Sequence, residues 1–213
     1  MELKGKKVNF LGDSITEGTG TSCKDAMFSE ILRRELELAE ARNYGIGGTR
    51  IAEQRIVPGE WIDERDFCRR YKTMDPDADV VVVFGGSNDY GHGNADFGTP
   101  LSDTPKTFCG ALNCLMRGLI EMYPASEIVF LTPIKRSEGD APNSRGYTLK
   151  MYSDAIKEAA ERYSIPVLDL YLLSGITPEI EAQREALCPD GLHPNDAGHM
   201  RLASRIKGFL KSL

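Results

Sequence analysis

Asp79-Val80-Val81-Val82-Val83-Phe84-Gly85-Gly86-Ser87-Asn88-Asp89 decides the fold class of this chain. Five consecutive apolar residues, four of them valine, make a run of strand length that is bounded by an aspartate and two glycines. A strand that is apolar on both faces belongs in a parallel sheet covered by helices on each side. Small and polar residues follow it directly, and that pattern recurs elsewhere in the chain.

Toward the N-terminus, Lys7-Val8-Asn9-Phe10-Leu11 reads as a short strand ending at Gly12, and Phe28, Ile31, Leu32 and Leu36 keep helical spacing within 27–39. Arg42-Asn43-Tyr44 reads as a weak second strand before the glycine turn Gly45-Ile46-Gly47-Gly48, and 63–74 reads as helix. Toward the C-terminus, Asp103-Thr104-Pro105 has the form of a helix start, with a capping side chain and proline in the first turn. Phe108, Leu112, Leu115 and Leu119 continue it. Ile128 to Leu131 is the next strand, Tyr152, Ile156, Ala160 and Tyr163 mark a helix, and Pro166 to Leu170 is the last strand. Asn195-Asp196 open a terminal helix carrying Leu202, Ile206 and Phe209. The regular alternation predicts one three-layer α/β domain over residues 1–213, with a parallel sheet of about five strands. The longest predicted loops, 85–102 and 132–147, have lengths that often carry function.

Composition narrows the function classes. Of 213 residues, 41% are hydrophobic and 27% charged, which is ample for a core and excludes intrinsic disorder. With Lys+Arg 26 against Asp+Glu 32 the net charge is −6, which disfavours nucleic acid and anionic membrane surfaces as partners. No apolar run reaches the roughly 20 residues of a membrane span. The basic start Met1 to Lys7 has no apolar stretch behind it, so no signal peptide is read and a cytoplasmic location is expected. Five scattered cysteines without a Cys-x-x-Cys pair fit free thiols.

Ligands of open parallel sheets sit beyond the carboxyl ends of the strands. There the chain places Gly12-Asp13-Ser14, Gly45-Ile46-Gly47-Gly48, Gly86-Ser87-Asn88-Asp89 and, after the last strand, Asp190-Gly191-Leu192-His193-Pro194. A serine hydroxyl needs a base to become a nucleophile, and the chain has three histidines, His92, His193 and His199. Asp190 lies three residues before His193 in a glycine loop, a spacing that lets the carboxylate fix the imidazole tautomer. Backbone N–H groups of Ser14 and Gly48 and the Asn88 amide are candidate oxyanion donors, although Gly47 is adjacent and the sequence does not choose between the two glycines. Asp13 and Asp89 read as supports of their own turns. His199 reads as a structural or surface residue of the terminal helix. A metal set of His193, Asp196 and His199 lacks a known ligand spacing, so no metal is expected.

These blocks, in this order and from residue 8 to the terminal helix, resemble those of the SGNH hydrolases, also called the GDSL esterase/lipase family. The first block has Ile15 where the family name has leucine, and the third has Ser87 where threonine is frequent. The resemblance implies a flavodoxin-like α/β/α sandwich. It implies Ser14 as nucleophile, His193 as base, Asp190 as its orienter, an oxyanion hole from Ser14, Gly48 and Asn88, a small-molecule ester substrate, and no cofactor.

Two rivals stay open at this stage. Ser87 follows a strand within a near Gly-x-Ser-x-Gly elbow, but Asp89 stands where the elbow wants glycine and no helix is read directly after it. A binding module or an inactive relative on the same fold needs no Ser14/His193/Asp190 set. Tyr90, His92 and Arg136 are the expected substrate contacts, with Phe97, Lys135 and Trp61 as further wall residues. Their mix of polar and aromatic groups, without a long greasy stretch, favours a short ester such as an O-acetyl group on a carbohydrate. Oligomeric state is not legible in a linear sequence.

Overall fold

Beginning at the sheet, the strands are β1 (Lys7–Gly12), β2 (Glu40–Gly45), β3 (Val80–Phe84), β4 (Glu127–Leu131) and β5 (Val167–Leu168). All pairs are parallel and the order is β2-β1-β3-β4-β5. The structure is a computed structural model and describes residues 1–56 and 65–213. The chain starts in the middle of the sheet, runs to one edge, then crosses over β1 to the other side. That reversal makes the gap between β1 and β3 the topological switch point, where such sheets bind ligands. Gly12 is in register with Gly45 on one side and Phe84 on the other, so three loops leave the sheet at one level.

β3 explains the layering. Its alternate side chains point to opposite faces. Val81 and Val83 join an apolar cluster with Leu112, Leu115 and Ile156, while Val80, Val82 and Phe84 join another with Phe28, Leu202 and Ile206. The first cluster is roofed by α5 (Phe108–Met122) and α6 (Leu149–Arg162), and the second by α2 (Phe28–Glu35) and α9 (Asp196–Ser212). The expected three-layer α/β/α sandwich follows. Short helices fill the rest: α1 (Ser14–Glu17), α3 (Phe67–Arg70), α4 (Ser87–Gly91), α7 (Leu170–Leu173) and α8 (Glu181–Leu187). Among the described residues, no helix is long and apolar enough to cross a membrane.

Several boundaries differ from the sequence expectations, each for a local reason. The helix read over 27–39 ends at Glu35, because the chain reverses through Glu37 at φ 52°; Leu36 and Leu38 reach the core from that turn. The start read at Asp103-Thr104-Pro105 moves to Thr107, whose hydroxyl caps α5 by accepting from Gly110 N–H. The Pro105 carbonyl instead accepts from Glu53 N–H and ties that turn to a neighbouring loop. Of the helix read over 63–74, the described part is α3, capped by Asp66, and a single 3₁₀ turn at Tyr71–Thr73. Residues 63 and 64 of that reading, and Trp61, lie outside the described residues. β2 read weakly because it is an edge strand with no fully buried residue. Its Arg42 pairs with Glu40 and Asp77, each at 2.6 Å, and a charged edge discourages pairing with another chain. A short helix, α4, does follow β3 directly, against the expectation of a bare glycine-rich loop.

Candidate active site

The turn after β1 is built by exclusion of side chains. A Cβ at Gly12 would collide with Thr16 Oγ1, and one at Gly45 with the Glu17 backbone, so α1 can sit directly on the ends of β1 and β2. Asp13 is the cap: its carboxylate accepts from Ile15 N–H at 3.1 Å. Gly18, at φ 104°, closes the helix with its N–H on Ser14 O. Ser14 is therefore the first residue of a one-turn helix, where N–H groups have no intrahelical partner.

The turn after β2 comes against it. Gly47 N–H donates to Glu17 Oε2 at 3.0 Å; Gly48 has φ 74°, and a Cβ there would touch none of the described residues. The Asn88 side chain, on α4, donates from Nδ2 to the Thr49 carbonyl at 2.9 Å. Asp89 accepts from Ile51 and Ala52 N–H at 2.9 and 3.0 Å. Asp89 thus supports the segment after the Gly48 turn, where a support of its own turn was expected.

The C-terminal loop brings the base. Asp190 Oδ1 accepts from Leu192 N–H at 2.9 Å and His193 N–H at 2.6 Å, while Oδ2 lies 2.7 Å from His193 Nδ1. His193 Nε2 lies 2.9 Å from Ser14 Oγ, across 179 positions of sequence. An anionic Asp190 draws the ring proton to Nδ1 and leaves Nε2 to accept from the serine hydroxyl. Three contacts staple the two ends of the chain together. Asp196 accepts from Ser22 N–H and Oγ at 2.8 and 2.6 Å, His199 Nδ1 accepts from Phe28 N–H at 3.1 Å, and Gly20 presses on the Pro194 carbonyl where no Cβ fits. Ser137 N–H on Gly191 O, at 2.9 Å, ties in the loop after β4.

The electrostatics differ around this chain of groups. Desolvation pushes the Asp190 carboxyl up, but the hydrogen bonds from His193 and Leu192 outweigh it and hold the group below the usual range. Desolvation dominates at the two buried carboxyls behind the site, raising Asp13 to about 7 and Asp89 to about 6.

The structure thus brings Ser14, His193 and Asp190 into one hydrogen-bonded row and sets Asn88 on the Gly48–Thr49 turn. Tyr90, His92 and Arg136 line a cavity of about 370 Å³ with Glu138, Asn143 and Arg145. Two expected wall residues lie elsewhere: the Lys135 ammonium sits over the Tyr171 ring, and Phe97 packs among Phe108, Tyr147 and Tyr152. Ser87 Oγ is buried without a hydrogen-bond partner among the described residues, and His92 reaches Asn88 rather than Ser87. Asp196 and His199 bond to Ser22 and Phe28 rather than to His193. Sequence reasoning passed over Glu17 and Arg50; both flank motif residues, and only through-space contacts reveal what they touch.

A family profile described as GDSL-like Lipase/Acylhydrolase matches residues 10–201. The chain belongs to the GDSL-like lipase/acylhydrolase family. It is accordingly a carboxylic ester hydrolase. One solved structure is 36% identical, covers 100% of this chain and 99% of its own, and has a TM-score of 0.88. A protein from Lactobacillus plantarum is 32% identical over 99% of this chain and 98% of its own, with a TM-score of 0.86. A variant of an acetyl-xylooligosaccharide esterase from Geobacillus Stearmophilus shares the fold at 23% identity, over 99% of this chain and 96% of its own, with a TM-score of 0.64. No curated protein matches the chain. In this family member the serine of the first block and the histidine of the last are the pair separated by 2.9 Å.

Proposed function

We propose that this family member cleaves small carboxylic esters with Ser14 as nucleophile, His193 as general base and acid, and Asp190 as the group that orients the imidazole. The unbroken row from Asp190 through His193 to Ser14, with contacts of 2.7 and 2.9 Å, carries this reading. Ser14 Oγ attacks the ester carbonyl as His193 Nε2 takes its proton. The tetrahedral oxyanion rests on the N–H groups of Ser14 and Gly48 and on the Asn88 amide. Gly48 is assigned over Gly47 because the Gly47 N–H is already given to Glu17. The C–O bond to the alcohol then breaks, and the alcohol leaves with the proton from His193. Water, deprotonated by His193, releases the acid and restores Ser14. Preorganised donors of this kind are each worth roughly 10²–10³ in rate.

The substrate we propose is a short acyl ester of a polar alcohol, such as an acetylated carbohydrate. The cavity beside Asn88 supports this: guanidinium, carboxylate and amide groups line it, which suits hydroxyl groups better than an acyl tail. The Geobacillus protein that shares the fold is described as an acetyl-xylooligosaccharide esterase, which is consistent.

The test is a p-nitrophenyl ester series from acetyl to decanoyl, with Ser14→Ala, His193→Ala and Ser87→Ala beside the parent chain. Expected are fastest turnover at acetyl, loss by about 10³-fold or more in the first two variants, and retention in the third. A sulfonyl fluoride should add its mass at Ser14, and EDTA should leave the rate unchanged. Faster decanoyl cleavage would remove the substrate proposal; no turnover at all would favour a binding module on this fold.

A further inference from the structure

His92 lines the cavity, and its sequence setting between two glycines reads as a substrate contact. Its ring is occupied in another way. Nδ1 lies 2.6 Å from Arg50 Nη2, and Nε2 lies 3.1 Å from Asn88 Oδ1. A guanidinium only donates hydrogen bonds. Nδ1 must therefore be the acceptor, and the ring proton must sit on Nε2. Nε2–H then donates to Asn88 Oδ1. With its oxygen fixed there, Asn88 must present its NH₂ on the opposite side, where one hydrogen goes to the Thr49 carbonyl at 2.9 Å. Among the described residues no second acceptor takes the other hydrogen.

We propose that His92, held by Arg50 in the Nε2–H tautomer, is a positioning residue that fixes the orientation of the Asn88 amide as an oxyanion donor. This rests on the ester-hydrolase reading of Ser14, His193 and Asn88 given above. The row runs Arg50 to His92 to Asn88 to Thr49, across the loops that follow β2 and β3. Both of its ends belong to the segment Thr49-Arg50, so the turn that carries Gly48 and the side chain of Asn88 are locked to each other. Without His92, the amide is held from one side only and can rotate about its terminal torsion.

The row works only with a neutral ring. A proton on Nδ1 would face the Arg50 guanidinium and break that bond. The charged groups around the ring oppose protonation on balance. Arg50 comes from the loop after β2, while Arg136, Glu138 and Arg145 share the cavity from the loop after β4 and beyond. Asp89, on α4 itself, is turned toward Ile51 and Ala52. Desolvation, with Arg50 and Arg136, holds the ring below the ordinary histidine range.

The experiment combines ring spectroscopy with kinetics. In a chain with ¹⁵N-labelled histidine, long-range ¹H–¹⁵N spectra should show His92 protonated at Nε2 and bare at Nδ1, and remaining so as the pH falls below 6.5. An Nδ1–H tautomer, or a ring that titrates in the ordinary range, overturns the proposal. This readout needs no substrate, so it judges the row even if the chain turns over no ester. On p-nitrophenyl acetate, His92→Ala should lower kcat by about tenfold or more with KM changed less than twofold. His92→Gln, whose amide can both donate to Asn88 and accept from Arg50, should recover most of that loss. A KM increase at unchanged kcat in both variants would instead mark His92 as a substrate contact and overturn the proposal.

Discussion

The turn that carries Ser14 is sunk in the molecule, with Asp13 3% exposed and Thr16 1% exposed, whereas the loop that carries His193 lies at the surface, with the Asp190 side chain 55% exposed. The first is shaped by sterics. Glycines at Gly12 and Gly45 admit helix α1 where any side chain would collide, and a buried carboxylate caps it. The second is shaped by hydrogen bonds within four residues and is moored by α9 through Asp196 and His199. One half of the site is therefore part of the core, and the other is attached to it. Changes in the buried half should register in stability and its pH dependence. Changes in the exposed half should register almost wholly in catalysis.

The sharpest way to break this contrast is Asp190→Asn. An asparagine oxygen can keep the Leu192 and His193 N–H bonds, but its NH₂ would face Nδ1 and force the ring proton onto Nε2. Expected is a fall in kcat of about 10³–10⁴-fold with the melting temperature nearly unchanged. A large loss of stability in that variant would mean that the exposed loop is structural after all.

Asp13→Asn probes the buried half. A carboxyl raised to about 7 in the fold, against 3.8 when unfolded, holds its proton more tightly in the native state. Its contribution is therefore complete below pH 3.8 and is lost as pH rises toward 7. Asparagine, which imitates the protonated acid and keeps the cap to Ile15, should be more stable than the parent at pH 8, by on the order of 4 kcal/mol, with the gap closing near pH 4. Denaturant titrations at several pH values measure it; a gap that does not change with pH would show that Asp13 ionises freely.

His199 has the opposite sign. Desolvation lowers it to about 4 from 6.5, so the native state holds the neutral ring. Its contribution is complete above pH 6.5 and is lost as pH falls toward 4, by on the order of 3 kcal/mol. His199→Gln should lower stability at pH 7, and its stability relative to the parent should rise as pH drops through that window. The same titrations decide it, and parallel profiles would count against a neutral buried ring.

The smallest effect is expected at Glu17, which is exposed but holds the Gly47 N–H. Glu17→Ala removes one hydrogen bond, worth about 1 kcal/mol, from the turn that presents Gly48. A kcat reduced about fivefold with stability lowered by no more than about 1 kcal/mol would place Glu17 with the exposed half of the site despite its position on α1. No change in kcat would show that Gly48 is held by its own turn.

How much of this was legible depends on the range of the forces involved. The valine run at 80–84 is apolar on both faces, and only a covered parallel strand satisfies that, so fold class followed from local pattern. Ser14, Asn88 and Asp190–His193 were legible because small, polar and glycine residues after strands stand out against an apolar core. The short helices α7 and α8 were not, since four and seven residues carry too little periodicity to read. β2 read weakly because an edge strand is chosen by its neighbour rather than by its own apolar pattern.

What the sequence determined by itself, then, was the alternation of elements and the kinds of chemistry at their ends. Only the tertiary structure decided which groups share a hydrogen bond. The strand order beside β1, the contact of Gly20 with Pro194, and the bonds of Asp196 to Ser22 and of His199 to Phe28 at the start of α2 bring Ser14 and His193 within 2.9 Å. The same folding made His92 a partner of Asn88 and Arg50, and gave Gly47 rather than Gly48 to Glu17. Hydrogen bonds act over about 3 Å. Sequence patterns report burial and local conformation, so which donor meets which acceptor is settled only when the core packs.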